Sequence, residues 1–221
     1  MRIFLSLLLG VLFLHGHAQE ETEIRVHTYY IPASKEVFYV LKYKPSIKHG
    51  SYQKQVQGPA AYKEKGQYDH NVRTGIWEYS DVKGKVIQRI DFSKDSVLLS
   101  DGFPNPADVK ILDGAEARAN NTGKTPLLLG GRSKLAYYML GFRYPAAARQ
   151  AGIKGTVVVS ATITKEGKMV NEKVVSGLGH GLDEEALRVA QLLPDDWLPL
   201  KVNGVAVDSR ILIPMNLKPG F

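Results

Sequence analysis

The stretch GTVVVSATITKEGKMVNEKVV, residues 155–175, constrains the fold more than any other part of this sequence. Apolar side chains recur at Val157, Val159, Ala161 and Ile163, and this alternation is the period of a strand with one buried face. A polar turn ending in glycine follows, and a second strand-like run returns from it. The pattern predicts an antiparallel β-hairpin, and an isolated hairpin is marginal in water unless other elements cover its apolar face.

Helical and strand patterns flank this hairpin in a definite order. Residues 135–142 carry apolar side chains at i, i+3, i+4 and i+7, which predicts one apolar helical face, and Pro145 suits the first turn of a second, short helix. After the hairpin, residues 182–193 predict a helix with Asp183 as its N-cap, and residues 207–217 predict a final strand. We therefore expect an α+β domain of helix, hairpin, helix and strand with a three-stranded antiparallel sheet.

The N-terminal half, expected as a domain over residues 19–94, has a different pattern, because residues 22–94 read as short strands separated by turns. A weak repeat lies within it: Gly50 and Gly75 are 25 residues apart, and so are Tyr52 and Trp77. Glycines permit the positive φ of tight turns, and aromatic side chains pair across strands. We expect a small β-rich sheet here.

The sequence changes character over residues 95–125, where Gly102, Pro104, Pro106, Gly114 and Gly123 interrupt the chain and no apolar period holds. This composition predicts a linker, with one short strand at Ser96–Leu99. The second domain is accordingly expected to occupy residues 126–221.

The first 18 residues have the composition of a secretory signal peptide. Arg2 precedes an apolar run over residues 3–14, and Ala18 supplies a small residue at the expected cleavage point. The run is shorter than the roughly 20 apolar residues that a membrane-spanning helix requires. We therefore expect a cleaved signal, a periplasmic location and no membrane span in the mature chain.

Several classes of function find no support in the residues. The sequence has no cysteine, which excludes disulfides and thiolate metal sites. The net charge of +7 is dispersed, and without a nucleic-acid-binding motif we expect no nucleic-acid partner. The histidines beyond the signal, at positions 27, 49, 70 and 180, form no metal-spaced pair, and the carboxylates at residues 183–184 and 195–196 are interpreted as solvated helix-end groups. We expect no catalytic residue, no cofactor and no metal.

A proline in the last predicted strand gives the clearest indication of a binding site. Proline has no N–H to donate to a ladder, so Pro214 is expected on an edge strand with its nitrogen facing outward. Backbone groups alternate sides along a strand, and those of Arg210, Leu212 and Asn216 would then face the same open side. An incoming strand would meet them there, although proline also blunts edges against uncontrolled pairing.

The C-terminal motifs, taken together, resemble the TonB C-terminal domain family. The resemblance covers about residues 126–218 and keeps the order and spacing of the family's motifs. A second, degenerate resemblance to MORN-like repeats covers about residues 45–92. The segments that carry the TonB resemblance are LGG at 129–131, YPAAAR at 144–149, AGIKGTVVV at 151–159, KEGKMV at 165–170, LDEEAL at 182–187, Trp197, NG at 203–204 and ILIPMNL at 211–217.

The TonB resemblance implies a periplasmic domain that captures an extended segment of an outer-membrane receptor by adding it to a sheet edge. By the same resemblance, Tyr144 and Pro145 are a second candidate contact, although both residues also suit the packing of a helix start. The chain departs from the family's plan, because its linker is short and not rich in proline. We expect a module that binds a TonB-dependent receptor or another envelope protein. The alternative is an envelope scaffold acting through the MORN-like sheet, with the C-terminal domain as a homodimerisation unit.

Overall fold

The computed structural model of the protein describes residues 20–30, 33–111 and 125–219. The predicted signal peptide and residues 112–124 of the predicted linker lie outside the described residues. The described chain is a mixed α+β fold that is mostly strand. Within these ranges, no helix is both long and apolar enough to cross a membrane.

The N-terminal part is a seven-stranded sheet in which each strand pairs with the next along the chain. All of its pairs are antiparallel. Such a meander follows from strands joined by short turns. The strands are β1 (Thr22–Tyr30), β2 (Ala33–Leu41), β3 (Lys44–Val56), β4 (Tyr62–Asp69), β5 (Val72–Ser80), β6 (Val86–Asp91) and β7 (Ser96–Leu99).

Stacked aromatic rings fill the core of this sheet. Trp77 is fully buried, and its ring stacks on Tyr52 at 5.3 Å between centroids. Gly66 lies beneath the indole, where a Cβ would sit 2.3 Å from the ring atoms. Glycine is therefore required at this position. The two aromatics of the predicted repeat pair with each other in one core.

The C-terminal part packs three helices against a second sheet. This sheet is four-stranded and antiparallel, in the order β11-β10-β15-β8, and two short two-stranded pairs, β9 with β12 and β13 with β14, flank it. The elements are β8 (Val109–Ile111), β9 (Leu127–Leu128), α1 (Gly131–Met139), α2 (Ala146–Gln150), β10 (Gly155–Ile163), β11 (Met169–Ser176), α3 (Leu182–Ala190), β12 (Trp197–Leu198), β13 (Leu200–Val202), β14 (Val205–Val207) and β15 (Ser209–Leu217).

The fourth strand corrects the expectation of a three-stranded sheet. It comes from the predicted linker: a 3₁₀ turn at Pro106–Asp108 leads directly into β8, which pairs with the first residues of β15. Phe103, from the same segment, is buried in the C-terminal core, and Val109 packs against it. The C-terminal unit therefore begins well before residue 126, because an open strand edge and an apolar core accept a nearby segment that composition alone describes as loop.

The hairpin follows its alternating pattern. In β10 the four predicted apolar positions are fully buried, and α3 and α2 cover that face of the sheet. In β15 the buried residues are the odd-numbered ones from Ser209 to Leu217. The alternation of apolar and polar side chains that predicted these strands therefore also predicted which face of the sheet packs against the helices.

The start of α3 differs from the expected cap. Gly181, at φ 83°, occupies the N-cap position. Asp183 instead accepts hydrogen bonds from the backbone N–H groups of Leu178 (2.7 Å) and Gly179 (3.2 Å). The carboxylate therefore fastens the glycine-rich loop before the helix rather than capping the helix itself.

Two consecutive residues pack into the two different hydrophobic cores. Leu128 belongs to the core of the C-terminal unit, whereas Leu129 belongs to the core of the N-terminal sheet. The fully buried amide of Gln88 joins them, because it donates to the carbonyl of Leu128 at 2.9 Å and accepts from the N–H of Gly130 at 2.8 Å. The Leu128 carbonyl and the Gly130 N–H are therefore hydrogen-bonded where the chain passes from one core to the other.

A buried ion cluster lies at the same boundary. Lys134, on α1, is 3% exposed, and its Nζ lies 2.6 Å from Asp196 and 3.0 Å from Glu64 on β4. Arg73, on β5, also pairs with Asp196 at 2.8 Å. Burial disfavours the charged form of Lys134, but attraction to the two carboxylates outweighs it and raises the pKa of Lys134. Asp196, whose side chain is 16% exposed, is therefore a partner of two cations and not a solvated helix-end group.

We expect Lys134→Met to lower the free energy of unfolding by about 3–5 kcal/mol, because it leaves the carboxylate of Glu64 buried without its cation. Urea denaturation measures this. Lys173→Met, at an exposed position of β11, is the matched control and should change stability by less than about 0.5 kcal/mol. A loss for Lys134→Met no greater than that of the control would contradict this account.

Candidate functional site

The outer edge of β15 is partly covered and partly open. On one side, β15 pairs with β10 along its whole length, from Ser209 to Leu217. On the other side, β8 pairs only with Ser209, Arg210 and Ile211. Among the described residues, no strand pairs with this edge beyond Ile211. The sequence predicted an edge strand over residues 207–217, and the structure restricts the open edge to its second half.

The four predicted contact residues of β15 share one face of the sheet. Arg210, Pro214 and Asn216 are exposed, and Leu212 is half-buried. Pro214 lies opposite Val158 of β10, as a proline can in a strand whose other edge is free. Arg210 lies opposite Lys110 of β8, so its part of the edge is already occupied.

Tyr144, the fifth predicted contact, lies in the core. Its side chain is only 7% exposed, its ring lies 6.2 Å from that of Phe142, and its hydroxyl donates to the carbonyl of Ile153. Pro145 is the N-cap of α2. These contacts match the packing interpretation of the pair and leave Tyr144 almost no surface for a partner.

Two carboxylates hold the loops next to β15. Asp208, just before the strand, accepts from the N–H of Lys165 in the hairpin turn at 2.8 Å. Asp195 accepts from the N–H of Met169 at the start of β11, at 3.0 Å. Both bonds join residues far apart in sequence, and the alternation of the strands carries no signal for them. The Asp208 bond fixes the hairpin turn to the start of β15, and the Asp195 bond fixes the start of β11 to the turn after α3.

The fold also brings together residues that the sequence kept apart. The rings of His49 and His70, 21 positions apart, lie 4.9 Å from each other between centroids, and Glu20 lies beside both. The two histidines form no metal-spaced pair in the sequence. The pairing of β3 with β4, rather than a local motif, brings them together.

Comparison with known proteins identifies the C-terminal part. The model of the family described as Gram-negative bacterial TonB protein C-terminal matches residues 141–219. Protein TonB of Vibrio cholerae serotype O1 is 34% identical over 79 residues, which make up 34% of this chain and 31% of that protein. The chain therefore spans about a third of the length of this relative.

No solved structure matches the chain. The predicted MORN-like repeats find no support in these comparisons: the family match covers residues 141–219, the part of the chain that carries α2, α3, β10, β11 and β15. The family match and the match to protein TonB agree on one assignment: residues 141–219 are a TonB C-terminal domain.

Proposed function

We propose that this protein is a periplasmic binding module that captures an extended segment of an envelope protein by strand addition to β15. The observation that carries the proposal is the open edge of β15 beyond Ile211 in the described structure. An unpaired edge presents backbone N–H and C=O groups to which another chain can bond.

Pro214 limits what can pair at this edge. Backbone groups alternate sides along a strand, so Leu212 and Asn216 face the same side as Pro214. With the ring nitrogen of Pro214 outward, an incoming strand finds donors at Leu212 and Asn216 but none between them. The edge is therefore open to a docking segment that tolerates one missing hydrogen bond, and it is a poor template for uncontrolled pairing.

Charge at the boundary with β8 favours a particular partner. Arg210 and Lys110 lie opposite each other on neighbouring strands, and both side chains are exposed. Two adjacent cations attract a carboxylate and repel a further cation. A docking segment with an acidic residue at this end is therefore favoured, and the N-terminal segment of a TonB-dependent outer-membrane receptor is the partner that the family resemblance suggests.

A scaffolding role for the N-terminal sheet is the second candidate. The edge strand β1 exposes Ile24, Val26 and Tyr29, and a run of exposed apolar side chains on an edge favours protein contacts. Photo-crosslinking from Val26 and from Asn216 of the full chain in envelope extracts separates the two roles. Receptor crosslinks at Asn216 support strand capture, whereas crosslinks at Val26 alone support scaffolding.

We expect a synthetic peptide of a receptor's N-terminal segment to shift or broaden the amide NMR signals of Leu212 and Asn216. The signals of Ile213 and Met215 should change less, because their backbone groups face β10. The control is the same peptide with prolines at alternate positions, which cannot complete a ladder. Changes confined to α1 would contradict strand capture.

We expect Pro214→Val to bind the peptide about two- to tenfold more tightly, because valine supplies the missing donor and one hydrogen bond contributes about 0.5–1.5 kcal/mol. Fluorescence anisotropy measures the affinity. Tyr144→Phe is the matched control: it should lose about 1 kcal/mol of stability through its bond to Ile153 and leave peptide affinity unchanged. Unaltered affinity in a folded Pro214→Val protein would count against docking at this edge.

A further inference from the structure

One corner of the N-terminal sheet gathers two imidazoles and two carboxylates. Nε2 of His70 lies 3.2 Å from Oε2 of Glu20, and Nδ1 of His49 lies 3.7 Å from the same oxygen. The candidate ligand atoms of Glu20, His49 and His70 all lie within 4.8 Å of one another. Asp69 adjoins both histidines. Nothing in the TonB C-terminal match reaches this corner.

The turn between β4 and β5, together with its hydrogen bonds to β3, fixes the two histidines. His49 lies on β3, and His70 and Asn71 form the tight turn with φ of 48° and 68°, the backbone of a two-residue hairpin turn. Asn71 ties this turn to β3, since its N–H donates to the carbonyl of Lys48 at 2.9 Å and its side-chain oxygen accepts from the Lys48 N–H at 2.8 Å. The imidazoles are thereby held side by side by the backbone.

Further side chains orient two of the ligand groups. The carboxylate of Asp69 lies 2.6 Å from Nδ1 of His70, and a proton on Nδ1 leaves Nε2 with its lone pair toward Glu20. The hydroxyl of Tyr43 donates to Oε1 of Glu20 at 2.8 Å, which leaves Oε2 for the histidines. Carboxylates and hydroxyls placed behind ligands in this way are the usual outer partners of metal sites.

His49 contributes an independent observation. Its Nδ1 is shielded from solvent and has no hydrogen-bond partner, although it lies 3.3 Å from Asp69 and 3.7 Å from Glu20. A buried polar atom without a partner is costly and uncommon. A cation between this nitrogen and the carboxylates would supply that partner and offset their two negative charges.

We propose that Glu20 Oε2, His49 Nδ1 and His70 Nε2 bind one divalent transition-metal ion of the zinc class, with Asp69 as a positioning residue. Two imidazoles and a carboxylate are a ligand set that zinc accepts, leaving a fourth position for water. Ligands about 2.0–2.2 Å from a tetrahedral ion lie roughly 3.3 Å apart, and the separations to Glu20 of 3.2 and 3.7 Å are close to this value. The ion would link Glu20, two residues before β1, to His49 on β3 and to His70 in the β4–β5 turn.

The test is isothermal titration of the tag-free, full-chain protein with zinc chloride at neutral pH. We expect one zinc per chain. The double substitution His49→Ala and His70→Ala should abolish binding. The matched control, His27→Ala with His180→Ala, removes two histidines outside the cluster and should retain it. Asp69→Asn should keep the stoichiometry and weaken affinity about 10- to 100-fold, as loss of an outer partner does.

A readout on the unaltered protein keeps the test valid if a variant fails to fold. Zinc should shift the ring NMR signals of His49 and His70 and leave those of His27 and His180 in place, and it should raise the melting temperature because it binds the folded state. Absence of zinc binding by the unaltered protein would overturn the proposal. Equal loss of binding in the control double variant, or ring shifts at His27 or His180 instead, would also overturn it.

Discussion

The docking of the two sheets depends on the ammonium group of Lys134, which lies buried between two carboxylates from different parts of the fold. Glu64 comes from the N-terminal sheet and Asp196 from the turn after α3. Replacing a buried ion pair by apolar residues is often neutral for stability, but an incomplete one is costly. The cluster is therefore satisfied only when α1, β4 and that turn meet in one arrangement, and this requirement defines how the two sheets dock.

Local patterns predicted much of the C-terminal domain. The alternation in β10 gave the correct buried face, and the turn and return strand followed, because strand period and turn chemistry are local properties. The proline at 214 predicted an edge strand, and among the described residues only the second half of β15 lacks a neighbour on that side. The resemblance in motif order located the domain that the family match covers at residues 141–219.

Features that depend on distant residues could not be predicted in this way. Three residues of an irregular segment became β8 because the edge of β15 lay near them. Lysine is usually found on the surface, and Lys134 can be buried only because Glu64 and Asp196 pair with it. The histidine cluster needs a hairpin to bring positions 49 and 70 together. In each case the feature is stabilised by contacts between elements that are far apart in sequence. Local sequence patterns carry no information about which distant elements meet.

The neighbouring residues Leu128 and Leu129, each packed into a different core, have a consequence for the protein's modularity. A segment that packs into two cores cannot leave one without disturbing the other, so we expect the two sheets to unfold as one cooperative unit. The family match begins at residue 141, after β9, α1 and the buried lysine. A boundary drawn there would separate the domain from the segment that anchors it, so the recognisable family domain is smaller than the unit that folds.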